Sequence, residues 1–277
     1  MSGTTRAPVG DIASYSREAF THRGVSHDVY RKGSGPAVIV LSEIPGITPQ
    51  QLGFADRLAA MGCSAILPHM FGTPGRSATR KPGSLDVPYA LRSVAKVCIS
   101  REFSMFAAGA SSPIIDWLRA LAAAEHERCK GPGVGVIGMC LTGGFALAMA
   151  VDPHVLVPVL SQPSLPATLS AKHRNSIDCS AADLERVAWR CANEQLRVVG
   201  LRFHGDPLVP KERFEFLKRA LGDGFVAVEL PQSAGHPEGF LARRHSILTH
   251  DLIDEPGELT RAALDQVLHM LRTKLFS

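Results

Sequence analysis

Long apolar runs are missing from this sequence. No unbroken apolar stretch reaches the ~18 residues that cross a bilayer, and residues 1–28 are polar, without the apolar core of a secretion signal. A membrane span and a secretory leader are therefore not expected, and a cytoplasmic location is. Closely spaced cysteines are missing too. The six present (Cys63, Cys98, Cys129, Cys140, Cys179 and Cys191) are scattered, with no CxxC pair. That argues against a disulfide frame or a zinc ribbon and reads as reduced thiols. His22, His27, His69, His126, His154, His173, His204, His245 and His250 lack metal-ligand spacing. They read as structural or exposed, with His69 and His204 able to line a pocket by position, and no metal is expected. Aromatic residues make up only 6% of the chain, too few for a base-stacking platform. The net charge of +4 is dispersed apart from small clusters such as Arg243-Arg244. Neither nucleic acid nor a membrane is an expected partner. Nothing marks an interface, so a monomer is the default.

What the chain does have is enough apolar residue for one large core. Its 277 residues are 45% hydrophobic and 20% charged, ordinary values for a globular α/β domain. Ala37-Val38-Ile39-Val40-Leu41 is a run expected of a strand buried on both faces. Further strands are predicted at 63–67, 134–137, 155–160, 197–203 and 225–230. Helices are predicted at 49–61, 89–97, after Ser112-Pro113, 141–150, 180–193, 210–221 and 256–275, with Ser180 as an N-cap. Residues 1–26 read as a loosely attached lead-in, 27–31 as an edge strand, 69–88 as a long loop and about 163–194 as a small lid. Strands and helices alternate without repeats. The fold class is α/β: a mostly parallel central sheet with helices on both faces, in a single domain over 27–277.

One stretch organises the rest. Gly133-Val134-Gly135-Val136-Ile137-Gly138-Met139-Cys140-Leu141-Thr142-Gly143-Gly144 reads as a strand turning sharply into an Ala-rich helix, with a cysteine at the apex. Such a turn lifts the apex side chain clear of the sheet and aims the first helical N–H groups at whatever it attacks. This is the pattern of a nucleophile elbow with Cys140 as nucleophile. Asp206 and His236 follow later strands, in the chain order nucleophile, acid, histidine of the α/β-hydrolase fold. A thiol of ordinary pKa, about 8.5, is mostly protonated at neutral pH. His236 would take its proton, and Asp206 would hold the imidazole in the useful tautomer. The Leu141 N–H and that of Ile44, after the first buried strand, are the candidate oxyanion donors. Glu43 stands beside them.

The segments Ser42-Glu43-Ile44-Pro45-Gly46, Gly138-Met139-Cys140-Leu141-Thr142-Gly143-Gly144, His204-Gly205-Asp206 and Ala234-Gly235-His236 resemble those of the dienelactone hydrolase family, in order and spacing over roughly residues 27–272. The resemblance implies a cofactor-independent hydrolase of dienelactones or similar activated esters, with Cys140, Asp206 and His236 as its triad. It also implies that Glu43 contacts the resting cysteine until substrate frees the thiolate, and that arginines grip a substrate carboxylate, with Arg101 as a candidate. The chain departs from the family pattern at Thr142, where glycine is common. It departs again at Pro237-Glu238-Gly239-Phe240, where an arginine is expected; the next are Arg243 and Arg244. Two other readings stay open: a general carboxylesterase or thioesterase, and a hydrolase-like protein that binds a small molecule without turnover.

Overall fold

The chain builds an eight-stranded sheet, seen in a computed structural model that describes residues 5–277 apart from 82–83, 100–112, 166–169, 240 and 242. Its first hairpin is β1 (Ser16–His22) and β2 (Val25–Lys32), paired antiparallel. Then come β3 (Ala37–Leu41), α1 (Pro49–Ala60) and β4 (Ser64–Pro68). A separate ribbon of β5 (Thr79–Lys81) and β6 (Ser84–Leu85) precedes α2 (Val87–Ile99) and α3 (Ile114–Cys129). Strand β7 (Val134–Met139) feeds a 3-10 turn (Cys140–Thr142) and α4 (Gly143–Met149). After β8 (Val155–Ser161) come α5 (Ala171–Arg174) and α6 (Ala181–Asn193). The chain ends with β9 (Val198–Phe203), α7 (Lys211–Leu221), β10 (Phe225–Leu230) and α8 (Leu259–Leu275).

Across the sheet the order is β1-β2-β4-β3-β7-β8-β9-β10. Every pairing from β4 to β10 is parallel, and only the hairpin edge is antiparallel. Strand β3 shows why its sequence is apolar throughout. Val38 and Val40 pack with Leu52 and Leu58 of α1 and Leu264 and Leu271 of α8. Ile39 and Leu41 face the other way, toward Trp117 and Leu118 of α3 and Phe145 of α4. A strand buried on both faces cannot alternate polar and apolar residues. Helix starts follow local chemistry. Thr48 Oγ1 accepts the Gln51 N–H at 3.3 Å ahead of Pro49, and Ser180 Oγ accepts the Asp183 N–H at 3.1 Å, as the sequence predicts.

The chain leaves β3 for β4 on one side and returns to β7 on the other. Strand order therefore reverses between β3 and β7. At such a reversal the loops at the carboxyl ends part, and open α/β sheets bind ligands in the crevice left there. The loops after β3 and β7 carry Glu43-Ile44 and Cys140.

Three expectations are corrected. The first is the lead-in, because residues 16–22 form β1 and so β2 is not the edge strand. Phe20 holds that strand down through an edge-on contact with Trp117, ring centroids 5.4 Å apart. The second is the 69–88 loop, which contains the β5–β6 ribbon and the first residues of α2. The third concerns the second half of the stretch read as a lid, since α6 buries Val187 and Cys191 in the core shared with Phe145 and Phe214. It belongs to the helical layer. The predicted cap at Ser112 lies outside the described residues.

Candidate active site

Cys140 stands at the carboxyl end of β7 with φ = 57°. A left-handed conformation at a residue other than glycine is uncommon and turns the side chain sharply out of the sheet. The flanking residues make room for the turn. A Cβ on Gly138 would sit 2.1 Å from the Thr142 carbonyl oxygen. Thr142 is buried, and its Oγ1 accepts the Met139 N–H at 2.8 Å while lying 3.2 Å from the Leu41 carbonyl. The hydroxyl thus closes the elbow and ties it to β3, which accounts for a threonine where the family commonly has glycine.

The sulfur of Cys140 lies 2.9 Å from Ser164 Oγ, and the Ser164 N–H donates to the Cys140 carbonyl at 2.9 Å. Ser164 follows β8 and was not anticipated. Asp206, in the turn after β9, is buried. Its Oδ1 accepts the Leu208 N–H at 2.9 Å, and its Oδ2 lies 2.7 Å from Nδ1 of His245. The histidine facing the acid is therefore His245, not His236. His236 leaves the last strand as expected, but its Nδ1 accepts the Glu238 N–H at 3.1 Å within its own turn. The chain then returns, and His245 enters the site with only 2% of its surface exposed.

His245 is bonded to the acid through Nδ1, so its other nitrogen, Nε2, is left to face the thiol. Among the described residues that nitrogen makes no hydrogen bond of ordinary geometry. Burial alone would lower the imidazole pKa, but its interactions with Cys140 and with the Asp206 carboxylate outweigh it and hold the pKa well above the usual histidine value. A carboxylate, an imidazole and a thiol in line can carry a proton from sulfur to nitrogen and stabilise the ion pair that results.

The return loop is fixed from two sides. Asp251 Oδ2 accepts the N–H groups of His245 at 2.8 Å and Ser246 at 2.9 Å. Burial pushes the Asp251 carboxyl up to about 6, against the opposing pull of these two amides and of Arg244. Glu43 anchors the same loop. Its oxygens accept from Ser246 Oγ at 2.6 Å and Thr249 Oγ1 at 2.8 Å, with Gln162 Nε2 at 3.4 Å. Among the described residues no hydrogen bond joins Glu43 to Cys140, the contact the resemblance implies for the resting cysteine. Among the described residues Glu43 is instead a strut between the loop after β3 and the histidine loop.

Leu41 of β3 is in register with Gly138 of β7. That register starts the two loops carrying Ile44 and Leu141, the residues expected to offer N–H groups, side by side at the edge of the sheet, and both residues border one core cluster. Arg101 lies outside the described residues. Arg244 donates to the Pro237 carbonyl at 2.7 Å, within the return loop. Among the described residues no helix is long and apolar enough to cross a membrane.

Solved structures with this arrangement of strands span almost the whole chain. A dienelactone hydrolase-like promiscuous phosphotriesterase from metagenomic libraries superposes with a TM-score of 0.59 at 15% identity, covering 94% of this chain and 98% of its own. A candidate dienelactone hydrolase from Klebsiella pneumoniae gives 0.55 at 16% identity, covering 94% and 97%. A cold-adapted esterase from an Arctic intertidal metagenomic library gives 0.54 at 17% identity, covering 94% of both chains. At these identities the likeness is one of fold, that of the α/β-hydrolases. Compared with the curated proteins, the sequence matches none. A model of the dienelactone hydrolase family matches residues 26–182, a stretch that holds β3, the Glu43 loop and the whole Cys140 elbow. With more than half of its length matched to that model, the chain belongs to the dienelactone hydrolase family.

Proposed function

We propose that the protein hydrolyses a small ester or lactone, dienelactone-like in size, through a thioester formed on Cys140. The observation that carries this reading is the line from Asp206 through His245 toward the Cys140 sulfur, with the Nδ1–Oδ2 contact at 2.7 Å. His245 accepts the thiol proton, and the thiolate attacks the carbonyl carbon. The negative oxygen that forms is received by the N–H groups of Leu141 and Ile44, whose worth lies in being aimed before the charge develops. His245 then protonates the departing alkoxide. In the second half it draws a proton from water, which attacks the thioester and releases the acid. Asp206 keeps Nδ1 protonated throughout and so leaves Nε2 as the working nitrogen.

The test is intact-protein mass spectrometry after brief mixing with activated aryl esters, thioesters and a dienelactone. An acyl mass on Cys140, absent from Cys140→Ala, is the expected result. Complete turnover by folded Cys140→Ala would overturn the reading. The same panel separates a lactone hydrolase from a general esterase or thioesterase, because a substrate carboxylate raises the rate only in the former.

A further inference from the structure

Arg213, near the start of α7, has 0% of its surface exposed. Its guanidinium makes no ion pair among the described residues. It donates instead to four backbone carbonyls: Nε to Ser176 at 2.8 Å, Nη1 to Pro163 at 2.9 Å and Leu208 at 2.8 Å, and Nη2 to His173 at 2.9 Å. Carbonyls solvate a cation without neutralising it. A buried charge left this way is costly, and an apolar side chain is often the more stable occupant of such a place. Stability alone gives little reason for an arginine here.

The four carbonyls suggest what the charge does. Pro163 immediately precedes Ser164, whose hydroxyl and N–H hold Cys140. Leu208 gives its own N–H to Asp206. Arg213 thus grips the nucleophile's neighbour and the acid's loop, each within one residue of the contact that matters. Burial lowers its pKa to about 10, against the opposing pull of Cys140 and Asp206, so the side chain stays protonated at neutral pH.

We propose that Arg213 is a positioning residue for the nucleophile, locking together the Ser164 and Asp206 loops that hold Cys140 and the acid in place. This rests on Cys140 being the nucleophile. The experiment therefore reads alkylation, which needs no turnover, beside kcat and KM: failure to form an acyl adduct sinks the nucleophile, whereas an unchanged alkylation profile and kcat sink only Arg213.

Iodoacetamide alkylation of Cys140 is followed from pH 5 to 10, reading the Cys140 peptide by mass spectrometry. The wild type is compared with Arg213→Lys and Arg213→Met, with circular dichroism as the check on folding. Arg213→Met grips none of the four carbonyls, so its Cys140 should alkylate with a profile that differs from the wild type, and its kcat should fall by about tenfold or more with KM little changed. Arg213→Lys keeps the charge but cannot span four carbonyls. Its kcat should fall as well, with KM little changed. A folded Arg213→Met with the wild-type alkylation profile and kcat would overturn the proposal. So would a wild-type kcat in Arg213→Lys, a result that stands even if Arg213→Met does not fold.

Discussion

At Cys140 the backbone is held at φ = 57°, a region that costs an L residue about 1–2 kcal/mol. The surroundings hold the strained turn in place. Ser164 takes the Cys140 carbonyl, and Thr142 Oγ1 takes the Met139 N–H. Replacing Thr142 with valine keeps the volume and strands that buried amide, a loss of about 1–3 kcal/mol. Thr142→Val should lower the melting temperature and slow turnover, whereas a variant as stable and active as the wild type would show that the hydroxyl closes nothing. Cys140, Asp206 and the glycines of the elbow were legible in the sequence because each rests on a local pattern: a strand, a tight turn and a helix start. His245 was not. Nothing near it in the chain distinguishes it from His236, and its place depends on Glu43, which bonds Ser246 and Thr249 across separations of 203 and 206 residues.

At the scale of the element, the return loop from His236 to Asp251 sets the imidazole. Its central contact is the Asp251 carboxylate on the amides of His245 and Ser246. The folded chain holds that carboxyl at about 6, above its ordinary value of 3.8. Between those two values the native state keeps a proton that the unfolded chain has released, so the residue's contribution to stability falls as pH rises through the window. Asp251→Asn keeps an acceptor for both amides and does not titrate. The melting temperature of Asp251→Asn, less that of the wild type, should be larger at pH 7.5 than at pH 4.5. A difference that does not change with pH would contradict this assignment. The strands were legible because burial on both faces forces continuous apolar runs such as Ala37–Leu41. The role of α6 was not, because its polar stretches suit an exposed lid as well as a helix that buries one side.

At the scale of the whole molecule, the carboxyl ends of five parallel strands deliver Glu43, Cys140, Ser164, Asp206 and His245 to one edge of the sheet. The opposite concern is the sheet's own edge. β1 covers β2 through seven paired residues. Tyr15, just before it, donates its hydroxyl to Asp56 of α1 at 2.6 Å. An uncovered strand edge offers a template for another chain. Deleting residues 1–24 should therefore lower the melting temperature and increase self-association by size-exclusion chromatography. A truncated chain with the elution volume and stability of the full chain would show that the N-terminal strand is dispensable.

The central claim is that His245, and not His236, works with Cys140 and Asp206. Its most direct test is the rate of aryl ester hydrolysis by His245→Ala and His236→Ala, side by side. His245→Ala should lose about 10³-fold or more in kcat, as expected when the base of such a triad is removed. His236→Ala should stay within a few-fold of the wild type. The reverse pattern, with His236→Ala inactive and His245→Ala active, would contradict the account.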